Sequence, residues 1–144
     1  RSKLIEFNAR FGDPETQVML PRCEDDLLAL LLAAAEGALP AAPVRLSPDA
    51  CLTVVFAAKG YPEAPERGSE IKGLERAEAM AGVTVYHAGT KRDGGKLVAN
   101  GGRVLNVTAR AASVKEAQKR VYAAVDAIDW PGGFCRRDIG WRAL

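Results

Sequence analysis

Two apolar periods alternate along the chain. Cys51 to Ala58 (CLTVVFAA) sets Leu52, Val54 and Phe56 against Thr53, Val55 and Ala57, and both sets are mostly apolar. A strand of that kind is covered on both faces, so the pattern predicts a central strand. Val83 to Thr90, Lys96 to Ala99 and Arg103 to Arg110 read as further strands, with Asp93-Gly94 turning a hairpin between the first two. In the last of them Val104, Asn106 and Thr108 share one face, and Leu105, Val107 and Ala109 share the other. The period then changes to helical. Ser113 is an N-cap with Glu116 three residues on, and Val114, Ala117, Val121, Val125 and Ile128 form one apolar stripe.

The first third of the chain reads differently. Leu4 to Phe7 is a short strand, and Gly12-Asp13-Pro14 ends it. Asp13 is placed to cap a helical turn that Pro14 opens, running from Glu15 to Leu20. Asp26 to Glu36 is a leucine- and alanine-rich helix, apolar around most of its surface, which predicts burial. Ala38 to Pro43 is a loop. Leu74 to Met80 is a short helix reached by the long polar loop Glu63 to Gly73, and residues 134–144 form a tail of alternating charge. The order predicts an α+β layer, an antiparallel sheet with helices on one side.

Composition narrows the function classes. The chain has 144 residues, a hydrophobic fraction of 48% and a net charge of +2, with acids and bases interspersed. That balance argues against nucleic acid or a membrane surface as partner. No apolar run is long enough to span a bilayer. Cys23, Cys51 and Cys135 are far apart and form no CxxC pair, which fits reduced thiols in a cytoplasmic protein. The chain opens on Arg1, without a methionine, and a strand follows within three residues, so it is expected to be a cut piece of a longer polypeptide.

Candidate chemistry concentrates in Ile5 to Glu15 (IEFNARFGDPE). On a strand, Glu6, Asn8 and Arg10 share a face. A carboxylate and an amide oxygen two residues apart suit one hard cation, since Mg²⁺ takes oxygen ligands at roughly 2.1 Å. The same spacing equally describes a solvated strand face. Arg10 could hold an anionic substrate by its planar fork of donors. His87, the single histidine, sits beside Gly89-Thr90 in a setting more often structural than catalytic, and Arg136, Arg137 and Asp138 read as a surface ion-pair group.

The full string resembles the end of the ATP-grasp domain in the phosphoribosylamine–glycine ligase family, which carries E-[FY]-N-x-R-F-G-D-P-E-x-Q. Glu6, Phe7, Asn8, Arg10 to Glu15 and Gln17 match it. Ala57 to Pro62 (AAKGYP), His87 to Thr90 (HAGT), Gly101 to Leu105 (GGRVL), Val107 to Ala109 (VTA) and Asp138 to Gly140 (DIG) resemble strings of the family's C-terminal domain, in the family's order. The resemblance implies the last strand of an ATP-grasp domain (residues 1–20), a helical joint (21–43) and a C-terminal α+β domain (44–144). It implies part of an enzyme that joins glycine to 5-phosphoribosylamine in purine synthesis, using ATP and Mg²⁺ or Mn²⁺ and passing through a glycyl phosphate. Glu6 and Asn8 then fall on metal-ligand positions. Arg10 falls on a position that stabilises the glycine carboxylate or acyl phosphate, with Asp13 either orienting substrate or capping. Lys59 and the Gly60 backbone become candidates for the substrate phosphate or ribose; Lys59 could equally be a solvated loop lysine, and Arg67 and Lys72 are weaker candidates. The missing ATP-holding parts would leave the chain inactive alone. Other readings are a binding or scaffold fragment, or a piece of another ATP-grasp ligase.

Overall fold

The central strand forms where the alternating pattern places it. In a computed structural model, which describes residues 3–5 and 7–144, β1 runs Ala50–Ala58. Further along the chain β2 runs Val83–His87, β5 runs Arg103–Ala111 and β6 runs Gly133–Cys135. These four make one antiparallel sheet in the order β2-β5-β1-β6, so β1 is internal, as its two apolar faces require. The predicted strand Val83 to Thr90 is broken by a bend at Ala88-Gly89. Its end belongs to β3 (Thr90–Asp93), which pairs with β4 (Lys96–Ala99) in a separate two-stranded sheet around Gly94-Gly95. Both glycines have positive φ, as a two-residue hairpin turn demands.

One face of the large sheet carries the core. Leu52, Val54 and Phe56 of β1 stand beside Leu105, Val107 and Ala109 of β5, and all are buried. Helix α4 (Val114–Ala127) lays Ala117, Val121, Ala124 and Val125 onto this face. Its start is the expected cap, the Ser113 hydroxyl accepting from the Glu116 N–H at 3.3 Å. Helix α3 (Leu74–Glu78) packs on α4 and β2. Trp130 closes the end of the core edge-on to Phe56, with ring centroids 5.1 Å apart, and its indole N–H donates to Ser69 Oγ at 2.9 Å.

The N-terminal residues depart from expectation in three ways. Leu4, Ile5 and Phe7 are exposed and belong to no strand, while Glu6 lies outside the described residues. A strand needs a neighbour for its backbone groups, and the four-stranded sheet has its edges in β2 and β6. Second, α1 (Thr16–Met19) lies against β1 and β5 on the face opposite α4, so helical structure covers both sides. Third, α2 (Leu27–Ala35) forms with Asp26 as its N-cap, yet none of its residues is buried, and Leu28 is 75% exposed. Its uniform leucine content predicts burial only if another element is at hand to bury it. Of the fifteen large apolar side chains that the described residues leave exposed, eleven lie between Leu4 and Leu46. Apolar surface of that concentration marks a contact face.

These burial differences have measurable consequences. Leu105→Ala, inside the core, should lower the free energy of unfolding by about 2–5 kcal/mol in urea titration. Leu28→Ala on the exposed helix should change it by less than about 0.5 kcal/mol.

Candidate active site

The outer face of β5 is polar, and it fastens the N-terminal segment to the sheet. A register irregularity between Phe56 and Ala57 pairs Ala57 with Arg103 and skips Val104. Such a bulge re-aims side chains. Val104 therefore joins the core, against the alternation read from the sequence, and Arg103 reaches the outer face with Asn106, Thr108 and Arg110.

Asp13 is the main recipient. Arg103 donates Nη1 to the Asp13 carbonyl at 3.0 Å and sets Nη2 3.2 Å from Asp13 Oδ2. Asn106 Nδ2 donates to Asp13 Oδ1 at 3.2 Å, and Gln17 Nε2 donates to the same oxygen at 3.0 Å. Asp13 is thus not the helix cap expected: Glu15 holds the N-cap position of α1, and no side chain caps it. At the other end of β5, Arg110 binds Asp49 Oδ2 at 2.8 Å, Ser47 Oγ at 2.9 Å and the Pro21 carbonyl at 3.0 Å. Between these two points the chain from Gly12 to Arg22 is stretched over the sheet.

The strings that stand apart in the sequence meet here. Pro14, Tyr61, Arg103, Cys135, Arg136 and Ile139 line a cavity of about 370 Å³ whose floor is Thr53, Val55 and Ala57 of β1. The Tyr61 ring lies over Gly102, where an added Cβ would stand 2.4 Å from ring carbon Cδ2. The Ala58 N–H donates to the Gly102 carbonyl at 2.9 Å. Gly89 crosses Gly101 so closely that a Cβ would come within 2.7 Å of the Arg103 carbonyl oxygen. Gly89 of HAGT and Gly101 of GGRVL are therefore explained by backbone crossing, and Gly102 by the Tyr61 ring.

The other candidates lie around this centre. Arg10 is exposed and donates Nη1 to the Phe11 carbonyl at 2.8 Å. Asn8 is exposed on the same segment, and Glu6 is not among the described residues. Among the described residues no three His, Cys, Asp or Glu side chains gather as a metal cage. Lys59 is exposed at the end of β1, held by its N–H on the Gly132 carbonyl at 2.9 Å. Gly60 follows with φ +81°, a turn position that favours glycine. His87 Nδ1 lies 3.0 Å from Thr90 Oγ1 and bridges the bend between β2 and β3. Lys72 pairs with Glu70 at 3.6 Å, and Arg136 pairs with Asp138 at 2.6 Å. Sequence reasoning missed Arg103, Asn106 and Tyr61. The only signal for them was that Arg103 and Tyr61 sit inside matching strings.

Comparison with known proteins now decides the family. Residues 51–142 match the family model described as Phosphoribosylglycinamide synthetase, C domain. The chain belongs to this family. It is 63% identical over 142 residues to the phosphoribosylamine–glycine ligase of Mesorhizobium japonicum, covering 99% of this chain and 33% of the relative. The chloroplastic phosphoribosylamine–glycine ligase of Arabidopsis thaliana is 56% identical over 144 residues, 27% of its length. The crystal structure of the Thermotoga maritima phosphoribosylamine–glycine ligase superposes with a TM-score of 0.79 at 33% identity, over 94% of this chain and 32% of that one. The chain thus spans about a third of the length of the ligases it matches. No helix among the described residues is long and apolar enough to cross a membrane.

Burial raises the thiol pKa of both Cys51 and Cys135, the second of which lines the cavity beside Tyr61 and Arg103. A raised pKa reduces the reactive thiolate at neutral pH. Both cysteines should alkylate more slowly with iodoacetamide than the same residues in the urea-unfolded chain, as peptide mapping would read.

Proposed function

We propose that this chain is the C-terminal third of a phosphoribosylamine–glycine ligase and supplies one wall of its active site. The observation that carries the reading is the 63% identity across 99% of the chain to a ligase three times as long. The exposed apolar surface between Leu4 and Leu46 supports it, because that surface precedes the matched C domain, on the side where the rest of such a ligase would lie. In this reading residues 1–20 end the ATP-grasp domain. Residues 21–43 are the joint, and residues 44–144 form the C-terminal domain.

The chemistry is the one that the family resemblance implies, and the residues in this segment are suited to parts of it. A glycine carboxylate oxygen attacks the γ-phosphorus of ATP and ADP leaves. The amine of phosphoribosylamine then attacks the acyl carbon and phosphate leaves. Arg10 offers a planar pair of donors to the carboxylate and to the acyl phosphate that replaces it. Glu6 and Asn8 are oxygen donors of the kind that hold Mg²⁺ or Mn²⁺, and such an ion offsets phosphate charge during transfer. Lys59 and the Gly60 N–H offer a cation and a donor to the sugar phosphate from the turn after β1.

A fusion tests the reading. Joined behind the first two thirds of the Mesorhizobium ligase, the chain should support ADP release that depends on both glycine and phosphoribosylamine, while the 144 residues alone should give none. Turnover by the isolated chain, or a silent fusion beside an active intact relative, would sink it. In the active fusion, Arg10→Met should lower kcat/KM for glycine by on the order of a hundredfold, the scale of a lost charge-assisted pair.

A further inference from the structure

We propose that Arg103 and Asn106 are positioning residues of the ligase site, acting through Asp13 to set where Asn8 and Arg10 stand relative to the Lys59-Gly60 turn. The inference rests on the ligase reading above.

Four observations carry it. Asp13 follows Arg10 by three residues, so at roughly 3.3–3.6 Å per residue its position limits how far Arg10 can stray. Asp13 is held at both its carbonyl and its carboxylate by side chains that lie 90 and 93 positions further along the chain. Asn106 is fully buried, and its Oδ1 has no hydrogen-bond partner among the described residues. An amide with an unsatisfied oxygen is costly in such a place, and the contact it makes is the bond to Asp13 Oδ1. Last, the residue before Arg103 is Gly102, which carries the Tyr61 ring and accepts the Ala58 N–H. One end of β5 therefore references both Asp13 and the Lys59-to-Pro62 turn.

The positions matter because a misplacement of about 1 Å can cost on the order of a hundredfold in rate. In the fusion enzyme, Arg103→Met should lower kcat on the order of 10- to 100-fold with KM for ATP unchanged. Arg103→Lys should recover part of the loss, since lysine restores charge without the two-pronged geometry. Asn106→Asp, which sets a second carboxylate against Asp13, should also lower kcat. Asp13→Asn should fall as far as Arg103→Met, and the double variant no further than either. Arg137→Met, which breaks the surface pair with Asp126, is the control and should leave kcat unchanged. Losses that multiply in the double variant, or an unchanged kcat in Arg103→Met, overturn the proposal.

A second measurement needs no turnover. In the 144-residue chain, Arg103→Met should speed hydrogen exchange at the Thr16, Val18 and Met19 amides, which bond back to Gly12 and Glu15, and leave the β1 and β5 amides unchanged. Unchanged exchange in α1 overturns the proposal even if the fusion is active. A fusion that is silent with Arg103 intact counts against the ligase reading, and α1 exchange still decides whether Arg103 holds Asp13.

Discussion

The structure depends on the polar face of β5. A strand in an antiparallel sheet commonly has one apolar and one polar face, and β5 turns its apolar face toward α4. Its other side presents Arg103, Asn106, Thr108 and Arg110, and three of the four spend their donors on residues before position 50. The N-terminal segment has no other deep anchor among the described residues, since its own apolar side chains are largely exposed. Without the polar face, the segment would be left with the contacts of α1 and of residues 20–22 on the sheet and the bonds between Arg22 and Ser47.

That arrangement separates burial from attachment. The α4 face supplies the burial, with Leu105, Val107, Val54, Val121 and Val125 all shielded from solvent. Full burial of such side chains contributes on the order of 1.5–3 kcal/mol each. The outer face contributes little of that kind. Its ion pair between Arg103 and Asp13 is about a third exposed on both sides, and pairs so placed stabilise by about 0–1 kcal/mol. What the outer face supplies is register: a fixed relation between the start of the chain and the turns at the end of the sheet.

The exposed helix α2 belongs to the same account. It is well formed, with Asp26 capping one end and Gly37 in the left-handed region just past the other. Leu28, Leu31 and Leu32 nevertheless face solvent, while Leu27 and Leu30 are half-buried. Good local structure with no partner is what the edge of a larger assembly looks like, and the ligases this chain matches are three times its length.

Much of this was legible without coordinates. The two periods, the Ser113 cap and the central place of β1 follow from short stretches of sequence, and the hairpin turn read at Asp93-Gly94 forms one residue on, at Gly94-Gly95. The strings GDPE, KGYP, HAGT and GGRVL pointed to the family by resemblance. Three things waited for the tertiary structure. The bulge at Ala57 exchanged Arg103 and Val104 between faces, because register depends on the partner strand. Asp13 became a clamp and not a cap, because its partners lie 90 and 93 residues away. Leu28, Leu31 and Leu32 of α2 stayed exposed, because burial depends on what is there to cover them. The opening stretch Ile5 to Glu15 carries candidate ligands in its own sequence, but the anchoring of Asp13 within it is decided by β5, whose side chains come from far along the chain.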